Sequence, residues 1–246
     1  MFWPESGVMG TRSELEKMFK GRHFEPEVII VSVRWYLKYK LSTADISEMM
    51  AERGISVDPS TIWRWVKRYA PDFEKKWQRF ASLIGPSWRV DETYIKVKGK
   101  QTYLYRGVDK RGRSVVSHLS RRRNVKAMKR FLRRASEVHG RKPKTVTLDG
   151  YQASHRAVRE FSQESRRRKP IKIRSSKYLN NLIEQDHRAI KSRTGPMLGF
   201  KNFASARITL AGVELLHRIR QGQFNLKHLG VIGKTEPEIW NAVLAA

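Results

Sequence analysis

Asp91, Asp149 and Glu184 are the acidic side chains best placed to do chemistry in a chain dominated by bases. Asp91 lies inside the strand-like run Trp88-Arg89-Val90-Asp91-Glu92-Thr93-Tyr94-Ile95. Asp149 ends the apolar run Val146-Thr147-Leu148. Glu184 stands near the start of a helical stretch that continues through Ile190 and Lys191. Hard divalent cations take carboxylate oxygens, and a pair of them can clamp the attacking and leaving oxygens of a phosphoryl transfer. Two Mg²⁺ ions, with Mn²⁺ as a substitute, acting on a nucleic-acid phosphate would therefore give these acids a physical reason. Asp91, Asp149 and Glu184 are expected as metal ligands and catalytic residues.

The elements that must position them read in a definite order. Trp88 to Val97, Thr102 to Val108 and Arg113 to Leu119 are strand-like runs, separated by turns at Lys98-Gly99-Lys100 and Asp109-Lys110-Arg111-Gly112. Turn residues between β-rich runs predict an antiparallel meander. Apolar residues then return at helical spacing from Asn124 to Val138. A short buried strand follows at Thr145–Leu148, then a helix over about 151–161, a short strand at Ile171-Lys172-Ile173, and helices over about 179–192 and 202–221. The order β-β-β-α-β-α-β-α predicts an α/β ribonuclease H-like domain with a mixed five-stranded sheet. In that topology the strands of Asp91 and Asp149 are neighbours, and ligand sites favour strand carboxyl ends.

Other acids have simpler readings. Glu92 alternates to the opposite face of its strand from Asp91. Asp109 suits a turn. Asp186 points to another side of its helix from Glu184. Asp149, next to Gly150, could instead cap a helix. Lys191 lies two helical turns after Glu184, on nearly the same face. His187 and Arg188 lie at i+3 and i+4. Lys191 and Arg188 are expected to hold DNA phosphate, with a solvated lysine as the plain alternative for Lys191.

The chain has 51 Lys and Arg against 23 Asp and Glu, a formal charge of +28 over 246 residues. Such an excess implies a polyanionic partner, by default nucleic acid. The most apolar stretch, Val28 to Val33, is soon interrupted by Arg34 and Lys38, so neither a membrane span nor a membrane partner is expected. The start shows no secretory pattern. Cysteine is absent, which excludes a disulfide framework and a thiolate metal site. A cytoplasmic setting is expected, nucleoid-associated when DNA is bound.

Residues 27–70 predict three helices. Ser42 and Asp45 fit a capping box, Gly54 a helix stop, and Asp58-Pro59 a helix start. Ile62, Trp65, Val66 and Tyr69 define one buried face. Ser60, Thr61, Trp63, Arg64, Lys67 and Arg68 are left as candidate DNA-binding residues of a helix-turn-helix. A plain three-helix packing unit with a solvated basic face is the competing reading. The expected organisation is an N-terminal extension at 1–17 and an all-α helix-turn-helix domain at 18–71. A helical linker follows at 72–86, then the catalytic domain at 87–222 and a tail with a short helix at 223–246. The basic runs Arg121-Arg122-Arg123 and Arg166-Arg167-Arg168-Lys169 fall between elements, where they could meet backbone phosphate or only solvent.

Several stretches together carry a family resemblance. They are Phe19 to Phe24, Ile62 to Pro71, Trp88 to Tyr94, Asp149-Gly150, Lys177 to Arg188, Met197 to Phe203 and Arg218 to Gln223. Over about 18–223 the chain resembles the DDE transposases of bacterial and archaeal insertion sequences. It is most similar to insertion-sequence family six, the group containing insertion sequence twenty-six. The resemblance implies that Asp91, Asp149 and Glu184 are the DDE residues and that Lys191 is the basic residue following the Glu. It implies binding of inverted-repeat ends, cleavage that frees 3′-OH ends, and joining to target DNA by a replicative, cointegrate-forming route. Joining two ends calls for a homodimer or a higher homo-oligomer. A non-enzymatic repressor built on 27–70 explains the charge but not the three acids. A ribonuclease H-like nuclease keeps the acids but does not need the N-terminal module.

Overall fold

Helix starts in the N-terminal region are set by local capping chemistry. The computed structural model describes residues 12–164, 169–175 and 181–246. Helix α1 spans Arg12–Phe19. Helix α2, Pro26–Lys38, opens on a proline whose missing N–H costs nothing in the first turn. Helix α3, Thr43–Ala51, starts at the Ser42–Asp45 capping box, where each side chain accepts from the other's backbone N–H. Gly54, at φ +75°, lets the chain turn back after α3. Asp58 then caps helix α4, Pro59–Gln78, by accepting from the Ser60 N–H. The predicted third helix and the predicted helical connector are one helix, continuous through Pro71. Its apolar face explains why: Ile62, Trp65, Val66, Tyr69, Phe73 and Trp77 are all buried, and their burial outweighs the single backbone bond lost at Pro71.

Residues Ser82–Gln223 form a second unit built on one sheet. Its strands are β1 (Ser87–Val97), β2 (Lys100–Asp109) and β3 (Ser114–Ser120). Helix α5 (Val125–Val138), β4 (Thr145–Leu148), helix α6 (Gln152–Gln163) and β5 (Lys172–Ser175) follow. Helices α7 (Asn181–Thr194) and α8 (Phe203–Arg220) complete the unit. The sheet order is β3-β2-β1-β4-β5, with β1–β2 and β2–β3 antiparallel and β1–β4 and β4–β5 parallel. This is the predicted ribonuclease H-like α/β arrangement. Residues 165–168 and 176–180, which include Arg166–Arg168 of the second basic run, lie outside the described residues.

One face of the sheet carries the apolar core. Trp88, Val90, Tyr105, Val115, Val146 and Leu148 pack there with Met128, Phe131 and Leu132 of α5 and Val158 and Phe161 of α6. The other face holds a buried charge network. Arg106, 1% exposed, pairs with Asp186 of α7 at 2.8 Å and with Glu214 of α8 at 2.8 Å. Its Nη1 also donates to the Asp186 carbonyl at 2.7 Å, and His217 Nε2 lies 2.6 Å from Asp186 Oδ1.

The final segment folds with the N-terminal helices rather than with the sheet. Among the described residues, Arg12–Ala81 and Phe224–Ala246 make up the first unit. Helix α9, Glu236–Ala245, begins at a capping box of Thr235 and Glu238. Trp240 stacks edge-on with Phe73 and Trp77, with ring centroids 5.5 and 5.1 Å apart, and Phe224 adds a further ring 5.0 Å from Trp77. Glu236 pairs with the buried Arg34 at 2.9 Å and with Lys38.

Candidate active site

Asp91 and Asp149 reach one another because their strands end at different heights. Strand β4 pairs with β1 only over Ser87–Arg89. Asp149 follows directly after β4, so its side chain sits beside the next residues of β1. One oxygen each from Asp91, Asp149 and Glu92 lie within 4.8 Å of one another, a spacing at which a cation can be held. Glu92 does leave the strand on the opposite face from Asp91. Beyond the last β1–β4 pair, however, its carboxylate still reaches the same cluster. The alternation rule gave its direction but not its reach.

Arg123 is the cation of this cluster. Its Nη2 donates to Glu92 at 3.1 Å and to Asp149 at 3.0 Å, and its guanidinium lies 3.9 Å over the ring of Tyr151. The basic run 121–123 therefore divides. Arg123 turns inward to the acids, whereas Arg121 lies over the ring of Phe203 at 4.7 Å. Ser154 Oγ donates to Glu92 at 3.1 Å, and the Tyr151 N–H donates to Asp149 Oδ1 at 3.0 Å. Asp149 does not cap α6, whose N-cap is Tyr151.

The electrostatics show the strain of gathered acids. Burial, above all, pushes the Asp91 carboxyl up, and the charges of Asp149 and Glu184 push it further; Arg123 and a backbone N–H oppose them. Burial likewise raises Glu92 against the pull of Arg123. Glu184 is exposed on α7, outside the 4.8 Å cluster, yet close enough for its charge to act on Asp91. His187, one turn later, has Nδ1 3.9 Å from Asp91 Oδ2. Burial and then Arg106 bring its pKa down to about 4, so the ring is neutral at pH 7 and this contact is not an ion pair.

Helix α7 is held in place by residues that sequence reasoning passed over. Arg106 is the cross-strand partner of Asp91. Its bonds to Asp186 fix the turn of α7 that carries Glu184. The only sequence signal was a lone arginine in a strand between apolar neighbours. Arg188 and Lys191 are exposed on α7, and Lys191 lines a cleft with Tyr94, Ile95 and Lys96.

In the first unit, Ser60, Arg64, Lys67 and Arg68 are exposed on α4, and Thr61 and Trp63 are half-buried. Arg64 donates to Thr61 Oγ1 at 2.8 Å. Trp63 packs edge-on against Tyr36 at 5.9 Å, and the Lys67 ammonium lies over its ring at 5.8 Å. Trp63 is thus a platform for Lys67 as well as a surface ring.

Known proteins match this chain over most of its length. A family model for the DDE domain of IS240-type transposases matches residues 85–223, close to the bounds of the second unit. The transposase of insertion sequence-like element IS431mec of Staphylococcus aureus (strain Mu50) is 39% identical over 201 residues, which cover 82% of this chain and 88% of that one. The chain belongs to the DDE transposases of insertion-sequence family six. The transposase of element IS257 in transposon Tn4003, also of Staphylococcus aureus, is 38% identical over the same shares.

This transposase also shows distant structural likenesses. The catalytic core of HTLV-2 integrase, in a structure with magnesium, is 21% identical over 48% of this chain and 74% of that one, with a TM-score of 0.36. The BIV integrase core is 16% identical over 53% and 83%, with a TM-score of 0.40. As a DDE transposase the chain is an enzyme, a polynucleotidyl transferase, and its clustered acids suit a divalent metal. Among the described residues, no helix is long and apolar enough to cross a membrane.

Proposed function

We propose that this transposase binds the inverted-repeat ends of its element, cleaves to free 3′-OH ends and joins them to target DNA by the replicative, cointegrate-forming route. The observation that carries this reading is the meeting of Asp91 and Asp149 at the end of β4, with the Glu184 charge acting on Asp91, in a chain of charge +28. Asp91, Asp149 and Glu184 would hold two Mg²⁺ ions, or Mn²⁺ in their place. Bound there, such ions lower the pKa of a water or a 3′-OH and stabilise the leaving 3′-oxygen.

The protein's own groups do the rest. The carboxylates act as ligands, not as covalent nucleophiles. Asp91, being half-buried, is costly to ionise without a cation, so it favours a positive charge at that spot. Lys191 and Arg188 hold DNA phosphate beside the acids. Lysine is a compact point charge suited to phosphate and, at its ordinary pKa near ~10.4, a poor base at neutral pH. Ser60, Thr61, Trp63, Arg64, Lys67 and Arg68 present the DNA-reading face of α4, and α3 with α4 forms the helix-turn-helix. Two DNA ends require at least two copies of the chain.

The test uses labelled duplexes ending in the inverted repeat that flanks the coding region, with Mg²⁺. The reading expects strand transfer into a second duplex. Binding alone would favour a repressor, and cleavage without joining would favour a nuclease.

A further inference from the structure

Strand β1 is a central strand for only its first three residues. Beyond Arg89, among the described residues, its side opposite β2 has no strand partner. The chain after α7 closes over the far end alone. The Phe200 N–H donates to the Lys96 carbonyl at 2.9 Å, and the Lys98 N–H donates to the Phe200 carbonyl at 2.8 Å. Gly199 makes this approach possible. At φ +99°, a Cβ there would stand 3.0 Å from the Lys96 carbonyl oxygen. Between the pinned end and the acids an open cleft of about 430 Å³ remains, lined by Tyr94, Ile95, Lys96, Lys191, Leu198 and Phe200.

Leu198 stands out at this cleft. It is 90% exposed and left-handed, with φ 52° and ψ 20°. Left-handed backbone is unfavourable for a leucine, and so is an apolar side chain in water. The backbone cost is offset in part, because Leu198 closes the Gly195–Met197 turn by donating its N–H to the Gly195 carbonyl at 3.1 Å, but the side chain, 90% exposed, gains no burial in return. Tyr94, 49% exposed, presents a ring at the same cleft, braced edge-on by Tyr103 at 5.5 Å. Lys191 and Lys96 supply positive charge on either side.

An apolar wedge, an open aromatic ring and flanking cations are the groups that separate and hold bases. Leucine side chains inserted between base steps unstack them, aromatic rings stack on released bases, and lysines take the phosphates. The spacing agrees on both walls. Tyr94 lies three strand residues past Asp91, about 10 Å along the unpartnered edge of β1 and on the alternate face that Glu92 also takes, and Lys191 lies seven helical residues past Glu184, also about 10 Å. At about 3.4 Å per nucleotide of a strand, the cleft is about three nucleotides from a phosphate held at the acids.

We propose that this cleft takes one unstacked nucleobase of the DNA strand engaged at the acids, with Leu198 inserted into the gap the base leaves. The inference rests on the strand-transfer reading and specifies how the strand is held beyond the reacting phosphate.

The test places 2-aminopurine at successive positions from the 3′ end of the element-end duplex, in Ca²⁺ to hold off chemistry, with the full chain at saturation. Fluorescence should rise several-fold at one position, about three nucleotides from the end, and stay low elsewhere. Leu198→Gly should remove that rise. Glycine relieves the left-handed strain, so loss of signal cannot be put down to a damaged fold. Leu198→Met should retain most of it. A flat profile, or an unchanged rise in Leu198→Gly, with binding intact by anisotropy, overturns the base cleft and leaves the strand-transfer reading standing. Failure of the wild-type chain to bind the end duplex overturns both. If Leu198→Gly instead lowers the oligomeric mass in sedimentation, the leucine seats a second copy of the chain and the proposal is wrong.

Discussion

Arg123 Nη2 lies 3.0 Å from Asp149 Oδ2 and 3.1 Å from Glu92 Oε2, so one guanidinium neutralises two of the three clustered acids. It sits in the charge position a metal ion would share. Removing it leaves acids that repel one another and that a cation alone can relieve. Arg123→Ala should therefore lose stability without metal, by about 1–3 kcal/mol. It should regain more of its Tm on addition of Mg²⁺ than the wild type gains. Thermal melts of both proteins with and without Mg²⁺ decide it. An equal Mg²⁺-dependent shift in both would show that Arg123 does not compete with the metal.

Arg106 joins β2 to α7 and α8 through Asp186 and Glu214. Arg106→Met keeps the bulk but strands two buried carboxylates. The expected cost is about 3–5 kcal/mol, the range for breaking a buried ion pair from one side. Urea unfolding of the variant measures it. A midpoint close to that of the wild type would mean that α7 is held by its apolar contacts alone.

Asp91 works at the expense of the fold. Its pKa is raised in the folded state, so the folded chain binds the proton more tightly than the unfolded chain does. Ionised Asp91 therefore lowers stability at pH 7, and the penalty fades as the pH falls through the raised pKa. Without metal, Asp91→Asn should melt about 2–4 °C higher at neutral pH, corresponding to about 1 kcal/mol in a chain of this size. That gap should close towards pH 4. A variant that melts lower than the wild type at pH 7 would contradict this electrostatic account.

Most of the fold was legible in the sequence because its elements carry local signals. The Ser42 capping box, the Asp58 helix start and the strand run Trp88–Val97 all fall where they were expected. The α4 boundary was not legible: Pro71 reads as a break, and only the continuing burial of Phe73 and Trp77 carries the helix past it. Helix α1 offers few apolar positions, and α9 docks on residues more than a hundred and fifty positions away, which no local pattern encodes. At the site, Asp91 and Asp149 were legible from element order. Glu92 and Arg123 were not, because their roles depend on where β4 stops relative to β1.

On α4, Arg64 and the pair Lys67 and Arg68 should divide the work of DNA binding. Arginine can pair bidentately with guanine, whereas phosphate contacts are neutral to sequence. Arg64→Ala should cost roughly 1–3 kcal/mol on the element end and little on random duplex. Lys67→Ala and Arg68→Ala should weaken both alike and flatten the salt dependence. Titrations on the two DNAs at several salt concentrations test this. Equal weakening on both DNAs by Arg64→Ala would refute the division.

The central claim is that Asp91, Asp149 and Glu184 act together as the ligands of a strand-transfer centre. The most direct measurement is strand transfer of labelled element-end DNA in Mg²⁺ by Asp91→Asn, Asp149→Asn and Glu184→Gln, with end binding followed on the same samples. Each variant should fall to about 1% of wild-type transfer or less while still binding the end. Near-normal transfer by any one of them, and by Glu184→Gln in particular because its carboxylate stands outside the tight cluster, would contradict the account.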